Sequence, residues 1–185
     1  MAIGFMEVEL VKAKGLQNTD IFGAIEPYVV VQYKNQEIRS SIGNSLINDS
    51  TDNSLYYIIY VQCPFIHIHR NDAEKGSNPV WNEKFTFRVE YPGSGGEYKL
   101  ILKIMEKDQF SADDFVGETI IHVEDLLALG VENGAYELHP CKYRVVSADQ
   151  SYCGEIEVGI TFTLREEVQL EEQEVGGWKE SNYDY

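Results

Sequence analysis

Apolar and polar residues alternate along most of this chain with a period of two, rather than the period near 3.6 that is typical of helices. This alternation predicts half-buried β-strands, and the many tyrosine, phenylalanine, valine and isoleucine residues favour the same structure. The predicted strands are residues 5–12, 27–33, 36–40, 83–89, 98–105, 117–123, 136–145 and 154–162. Short strands separated by turn signals predict an all-β fold, an eight-stranded antiparallel β-sandwich.

One short segment departs from the alternation and has helical spacing instead. Residues 123–129 (VEDLLAL) predict about two helical turns, which Gly130 is expected to end. The strands and this helix together predict a single domain over residues 1–164. Residues 165–185 carry seven acidic against two basic residues, and this composition predicts a disordered acidic tail.

One internal stretch, residues 43–73, does not fit the sandwich. Its first half is polar and rich in asparagine and serine, and its second half is apolar and rich in tyrosine and isoleucine. A connection of about 30 residues is unusual inside a compact domain. Its composition is what AU-rich non-coding sequence would give if translated. We therefore interpret it as an atypical insertion that comes from a retained intron or from the gene model.

The acidic excess of the chain narrows the range of partners. There are 31 acidic against 15 basic residues, which gives a formal net charge of −16. Such a surface repels nucleic acid phosphate and anionic lipid unless a cation neutralises it locally, so direct nucleic acid binding is not expected. The basic residues of two predicted strands are too scattered to predict a headgroup patch; they are Lys84, Arg88, Lys99 and Lys103.

The cysteines and the N-terminus bear on the compartment. Cys63, Cys141 and Cys153 have no metal-type spacing, and an odd number cannot all pair. Since the N-terminus also lacks a signal-like pattern, a reducing intracellular compartment is favoured. No apolar run reaches the length of about 18 residues that a membrane span requires. We expect a cytoplasmic protein whose membrane contact is peripheral.

Two stretches of the chain, residues 20–26 and 106–114, combine carboxylates with apolar residues in an unusual way. Each adjoins a predicted strand, has acidic residues at both ends and has apolar residues at its expected tip. The tip residues are Ile21, Phe22 and Phe110. Because exposed apolar side chains on a loop favour entry into an apolar phase, the two stretches predict a membrane-docking surface.

The carboxylates of these stretches have a shared spacing. Asp20 and Glu26 are separated by five residues, and Asp114 follows Asp108 after the same interval. Glu106 and Asp108 alternate at a strand end, which directs both side chains to one face. If the two loops lie at one end of the sandwich, five carboxylates converge there, and such a cluster is stable mainly when cations such as Ca²⁺ fill it. The alternative is that these acids decorate solvated turns.

Four blocks of sequence, in the right order, resemble the C2 domain family. They are Gly15-Leu16, Asp20-x5-Glu26-Pro27-Tyr28-Val29, Asn78-Pro79-Val80-Trp81-Asn82-Glu83-Lys84-Phe85 and Glu106-x-Asp108-x5-Asp114-Phe115-Val116-Gly117. The resemblance covers about residues 5–42 and 75–163. It is greatest to small plant proteins that consist of one C2 domain, of the elicitor-responsive and small phloem-protein kind. It implies a C2-type sandwich, of type II topology because the chain starts at the strand before the first loop.

The resemblance also implies roles for individual residues. Ser111 falls where an auxiliary oxygen ligand sometimes sits. Glu26 and Glu106 stand where the family usually has aspartate, and a vestigial or weak site is the alternative because glutamate reaches one methylene further. The family's Ca²⁺ ligands correspond to Asp20, Glu26, Glu106, Asp108 and Asp114.

These features predict a module that binds phospholipid in a Ca²⁺-dependent way and docks reversibly on the plasma membrane, in signalling or plant defence. The alternative is a Ca²⁺-independent adaptor or trafficking factor that contacts proteins through the acidic tail and Trp178. An enzyme is not expected, since no Ser-His-Asp or Cys-His arrangement has a usable context. Cys63, His67 and His69 hint at Zn²⁺, but they lie in the atypical insertion and alternate as a strand does.

Overall fold

The structure is a computed structural model that describes residues 1–16, 26–45, 77–93, 97–108 and 111–165. The strands of these residues are β1 (Ala2–Lys14), β2 (Pro27–Tyr33), β3 (Gln36–Arg39), β4 (Asn44–Ser45), β5 (Pro79–Tyr91), β6 (Lys99–Glu106), β7 (Asp114–His122), β8 (Ala135–Val146) and β9 (Tyr152–Leu164). Their helix, α1 (Glu124–Asn133), lies between β7 and β8. The predicted strands are all present, and most extend one to four residues further than predicted.

The strands form two antiparallel sheets. The first sheet has the order β3-β2-β6-β7, and the second has the order β8-β9-β1-β5, extended by the two-residue strand β4. In the described residues a single ladder pair, Glu118 with Val146, joins β7 to β8 and so connects the sheets. This arrangement confirms the predicted eight-stranded antiparallel sandwich. As type II topology requires, β1 leads directly into the first loop, and the last strand, β9, pairs with it.

The hydrophobic core fills the space between the two sheets. Alternate residues of each strand point inward, so the period-two pattern of the sequence becomes one apolar layer per sheet. Each fully buried side chain of this kind contributes roughly 1.5–3 kcal/mol relative to exposure. The largest of them are Tyr33, Phe87, Phe162, Met6, Leu10, Leu100, Leu102, Ile104, Leu127, Ile156, Ile160 and Val8.

The helix α1 is longer than the sequence pattern predicts. Gly130 does not end it but lies buried in its second turn. A side chain at this position is not tolerated, because a Cβ atom would lie 2.3 Å from Cδ1 of Phe162. The helix ends at Gly134 instead, whose φ of 83° is the left-handed conformation that glycine adopts readily.

The two sheets are tied together where β1 ends and β2, β5 and β7 begin, which we call the loop end of the sandwich. The amide of Gly43 donates to the carbonyl of Pro27 (2.7 Å), and Asn44 pairs with Val80. Residues 43–45, predicted as the start of the insertion, therefore belong to the sandwich. The rest of the predicted insertion and the tail from residue 166 lie outside the described residues.

Candidate functional site

Acidic residues at or next to the ends of three neighbouring strands lie at the loop end of the first sheet. Glu106 is the last residue of β6, and its ladder partners are Pro27 at the start of β2 and Asp114 at the start of β7. The amide of Lys107 donates to the carbonyl of Glu26 (3.1 Å), which holds the two chain segments side by side. We call Glu26, Glu106, Asp108 and Asp114 the acidic edge.

Glu106 has an unusual environment for a carboxylate. It is only 3% exposed, and it continues the inward alternation of Leu102 and Ile104 on β6. Directly opposed residues of an antiparallel pair project to the same side of the sheet, so Asp114 projects to the same side as Glu106. Burying a carboxylate is costly unless hydrogen bonds, a cation or a metal compensate it.

Asp108 is held by the loop rather than by the strand. The sequence pattern placed it on the strand with Glu106, but β6 ends at Glu106. The backbone amide of Asp108 donates to Oδ1 of Asp113 (3.2 Å), and Ser111 donates from its hydroxyl to Oδ2 of Asp108. The side chains of Ser111 and Asp108 are therefore in contact.

Asp113 is a site residue that the sequence analysis missed. The hydroxyl of Tyr28 donates to Oδ2 of Asp113 (2.5 Å), and Nη2 of Arg39 lies 3.5 Å from the same oxygen. The Arg39 guanidinium in turn stacks over the Tyr28 ring, 3.4 Å from its centroid. Asp113 thus fixes the loop to β2 and β3. In the sequence, the only signal for Asp113 was that it forms an acidic pair with Asp114 before the apolar residues of β7. Its partners, Tyr28 and Arg39, are distant in the chain.

These contacts shift the pKa values of Asp113 and Tyr28. The hydrogen bond from Tyr28 is the main cause that lowers the pKa of Asp113, and the amide of Asp108 and the charge of Arg39 lower it further. Burial is the main cause that raises the pKa of Tyr28, and the hydrogen bond to Asp113 adds to it. At neutral pH the pair is therefore a neutral phenol donating to a carboxylate, which is the form that orders the loop.

The structure describes only part of the predicted site. Asp20, Ile21, Phe22 and Phe110 lie outside the described residues. Among the residues that are described, no three acidic, histidine or cysteine side chains converge closely enough to hold an ion by themselves. The oxygen donors that are present fit Ca²⁺, which takes about six to eight oxygens, largely from carboxylates on flexible loops.

Three further predictions concern regions away from the acidic edge. No helix in the described part of the chain is long and apolar enough to cross a membrane. The Zn²⁺ hint of the insertion falls on residues 63–69, which are not among those described. Of the four basic residues that the sequence analysis singled out, Lys84 and Arg88 belong to β5 of the second sheet, whereas Lys99 and Lys103 belong to β6 of the first.

Comparison with known proteins identifies a family and relatives that agree with the resemblance seen in the sequence. The family model described as "C2 domain" matches the chain in two segments, residues 4–51 and 47–138. The chain is 40% identical over 184 residues to 16 kDa phloem protein 1 of Arabidopsis thaliana, with full coverage of both chains. It is also 40% identical over 181 residues to Elicitor-responsive protein 1 of Oryza sativa subsp. japonica, with 96% of each covered.

A solved structure gives the same result. The protein described as "C2 domain-containing protein from putative elicitor-responsive gene" superposes with a TM-score of 0.56 at 29% sequence identity. The match covers 88% of this chain and 90% of that chain, so it extends over nearly the whole sandwich.

Proposed function

The chain belongs to the C2 domain family, and on this premise we propose that it is a Ca²⁺-dependent phospholipid-binding module. C2 domains commonly bind Ca²⁺ and phospholipid membranes. The specific proposal is that residues 20–26 and 106–114 form the Ca²⁺ site and the membrane contact of this chain. It acts in signalling or defence as a non-enzymatic, peripheral protein of the plasma membrane.

The observation that carries the proposal is the opposition of Glu106 and Asp114 across β6 and β7, with Glu26 immediately before β2 and held beside β6 through its backbone carbonyl. These residues lie at one end of the molecule. Within the described residues, no ion pair includes Glu26 or Asp114. Mutual repulsion of such groups is relieved by a bound cation more effectively than by water.

Ca²⁺ would convert this end of the protein from repelling to attracting. The chain carries a net charge of −16, and an anionic membrane leaflet repels an anionic loop end. Each bound Ca²⁺ supplies two positive charges at the acidic edge, where lipid phosphate oxygens can complete its coordination. The proposed ligands are Asp20, Glu26, Glu106, Asp108 and Asp114, with Ser111 as the auxiliary donor.

The apolar tip residues would then hold the protein at the interface. Full burial of a phenylalanine or isoleucine is worth roughly 1.5–3 kcal/mol, so partial insertion of three side chains supports reversible binding. The proposed inserting residues are Ile21, Phe22 and Phe110. Because each contributes a modest energy, release follows when Ca²⁺ dissociates.

A second candidate function rests on the two glutamates of the acidic edge. Glu26 and Glu106 stand where the C2 family usually has aspartate, and Glu106 is buried at 3% exposure. A site that no longer binds Ca²⁺ would leave a Ca²⁺-independent adaptor or trafficking factor, which would contact proteins through the acidic tail. The two functions differ in whether a chelator releases the protein from lipid.

The test is calorimetric titration with Ca²⁺ together with co-sedimentation on vesicles of phosphatidylserine and phosphatidylcholine, with and without a chelator. We expect heat and sedimentation from the natural chain, and a loss of both for Asp20→Asn and for Asp108→Asn. The matched control is Asp125→Asn, which removes the same charge from the exposed first turn of α1. Lipid binding that ignores the chelator would exclude the Ca²⁺ switch and favour the adaptor.

A further inference from the structure

A shallow basic depression lies on the outer face of the second sheet, beside the loop end. It encloses about 180 Å³ and is lined by Lys12, Ala13, Lys14, Lys142, Glu155 and Glu157. Three strands supply these residues, because β9 runs between β1 and β8. Its volume is below that of a site for a drug-sized ligand, which is about 300 Å³ or more, and suits one small polar group.

The register explains how the charges are arranged. Arg144, Glu155 and Lys14 lie in one row across β8, β9 and β1, and Lys142, Glu157 and Lys12 lie in the next row. Each glutamate has one lysine partner, since Nζ of Lys12 is 3.4 Å from Glu157 and Nζ of Lys142 is 3.5 Å from Glu155. Both glutamates are therefore already in ion pairs with lysines of the second row, Lys12 and Lys142.

The two cations of the first row, Lys14 and Arg144, are not needed for these ion pairs. Neither Lys14 nor Arg144 has a carboxylate partner in the part of the chain that the structure describes. Within these two rows, four cations and two glutamates leave two positive charges in a protein whose net charge is −16, and the carboxylate of Glu9 lies in the following row, opposite Gly159. Because a local excess of positive charge attracts anions, the two rows suit an anionic ligand.

The arginine is oriented by an aromatic neighbour. Its guanidinium lies 5.5 Å from the ring centroid of Tyr152, within the range of a cation–π contact. Tyr152 is the first residue of β9 and is 48% exposed. Exposed tyrosine beside arginine is typical of surfaces at a membrane interface, where the ring enters the headgroup layer and the cation meets phosphate.

The depression and the acidic edge face the same end of the molecule. Lys14 ends β1 just before the first loop, and Tyr152 begins β9 after the hairpin from β8. The thiol of Cys153 contacts the carbonyl of Val116 (3.5 Å), two residues after Asp114. A membrane that meets the acidic edge of the first sheet is therefore adjacent to the depression of the second.

We propose that this depression binds the phosphate of an anionic phospholipid in the bilayer without Ca²⁺, through Lys14, which lines it, and Arg144, which adjoins it as the ladder partner of Glu155, with Tyr152 at the headgroup layer. The proposal rests on the proposed function, because both sites meet one membrane. Because the membrane would contact both sheets, the tilt of the sandwich on the membrane would be fixed. Contact through the loops of one sheet alone leaves this tilt free.

The first experiment compares two double variants on phosphatidylserine vesicles at saturating Ca²⁺. Since a basic residue near an anionic surface is worth about fivefold in affinity, Lys14→Gln with Arg144→Gln is expected to weaken binding about 30-fold. The matched control, Lys84→Gln with Arg88→Gln, removes the same charge from the same sheet away from the loop end, and we expect a change below about fivefold. Equal losses in the two double variants would overturn the proposal.

The second experiment makes the result independent of the Ca²⁺ switch. Dihexanoyl phosphatidylserine, kept below its micelle concentration, is titrated into the isotopically labelled protein in the presence of a chelator. We expect amide shifts confined to the strands around Lys14, Arg144 and Tyr152, and smaller shifts with the same concentration of inorganic phosphate. Absence of these shifts, or equal shifts with inorganic phosphate, would overturn the membrane assignment.

The two results also separate this proposal from the proposed function. If a chelator leaves vesicle binding unchanged while the localised shifts persist, the Ca²⁺ switch is wrong and the depression stands. If Ca²⁺ drives binding but the shifts are absent, the switch stands and the depression is wrong.

Discussion

The acidic edge of the first sheet and the basic depression of the second lie at the same end of the sandwich but treat charge in opposite ways. In the depression, each glutamate has a lysine within 3.5 Å. At the acidic edge, the nearby arginine is committed to Asp113, and the described ion pairs include neither Glu26 nor Asp114. Carboxylates that are paired within the fold serve the sheet, whereas carboxylates without a matching cation suit an ion from solution.

The largest expected effect is a loss of Ca²⁺ affinity when a carboxylate of the acidic edge is neutralised. The same change in the depression serves as the comparison. Asp114→Asn removes a unit charge that faces the proposed ion, a Coulomb term of about 2 kcal/mol for a divalent ion at 4 Å even at the dielectric constant of water. We expect Ca²⁺ affinity to fall about 30-fold. The matched change, Glu155→Gln in the depression, leaves that affinity within about twofold because the group lies in an ion pair on the other sheet.

Calorimetric titration measures both variants. Similar losses of Ca²⁺ affinity in the two would show that the ion senses only the total charge of the loop end, and the distinction between the regions would fail.

A smaller effect is expected where the two sheets meet. Gly117 of β7 contacts β8 and β9 so closely that a Cβ atom would lie 2.6 Å from Sγ of Cys153 and 2.8 Å from Cγ1 of Val145. Gly117→Ala is expected to cost about 1–3 kcal/mol of unfolding free energy through overpacking. Because this contact joins the two regions, we also expect lipid binding to weaken several-fold.

Urea unfolding measures the first effect of Gly117→Ala and vesicle sedimentation the second. Glu118→Ala, at the next and outward-facing position of β7, is the control and is expected to change neither quantity substantially. Full stability in Gly117→Ala would show that the junction is looser than the contacts indicate.

A still smaller and pH-dependent effect is expected for Tyr28→Phe. The hydroxyl of Tyr28 is the main cause that lowers the pKa of Asp113, so its removal raises that pKa toward the ordinary carboxyl range. A carboxyl with a lowered pKa contributes stability that is present above the ordinary pKa and is lost as pH falls through the folded value. The variant should therefore be less stable than the natural chain at pH 7, by less than Gly117→Ala, and should approach it in acid.

Thermal unfolding at a series of pH values tests this prediction for Tyr28→Phe. The control, Tyr136→Phe, removes an exposed hydroxyl from β8 and should show no such convergence. A difference from the natural chain that is independent of pH would contradict the role assigned to Asp113.

Local sequence patterns were sufficient for most of the fold but only for part of the sites. Residues 27–33 form one β-prone run that opens with Pro27, and the predicted strand has the observed bounds. Gly130 was predicted to end the helix, since glycine usually does so, but the helix continues because Phe162 of β9 packs where its side chain would be. The decisive contact is with a residue 32 positions away, which no local pattern contains.

The site residues that were missed have the same cause. Asp113 takes its role from Tyr28, 85 residues earlier in the chain. Lys14 of the depression and Arg144 beside it fall in one row, on either side of Glu155, only because β9 pairs with both of their strands. For the acidic edge, in contrast, the sequence spacing indicated positions near strand ends, and Glu106 and Asp114 do stand at the termini of β6 and β7.

The smallest effect at neutral pH is expected far from both regions, at the end of β2 opposite the loop end. The hydroxyl of Tyr33 is buried with no hydrogen-bond partner in the described part of the molecule, and burial raises the pKa of this phenol to about 12. Tyr33→Phe should therefore leave stability at pH 7 unchanged or slightly raised, and should not alter Ca²⁺ or lipid binding.

A phenol with a raised pKa contributes stability below its ordinary value, near pH 10, that is lost as pH rises to about 12. The natural chain should lose stability over that interval faster than the variant does, as urea unfolding would measure, with Tyr152→Phe as the exposed control. Altered lipid binding in Tyr33→Phe would mean that the loop end is coupled to the far end of the core, and neither region could then be treated as a local site.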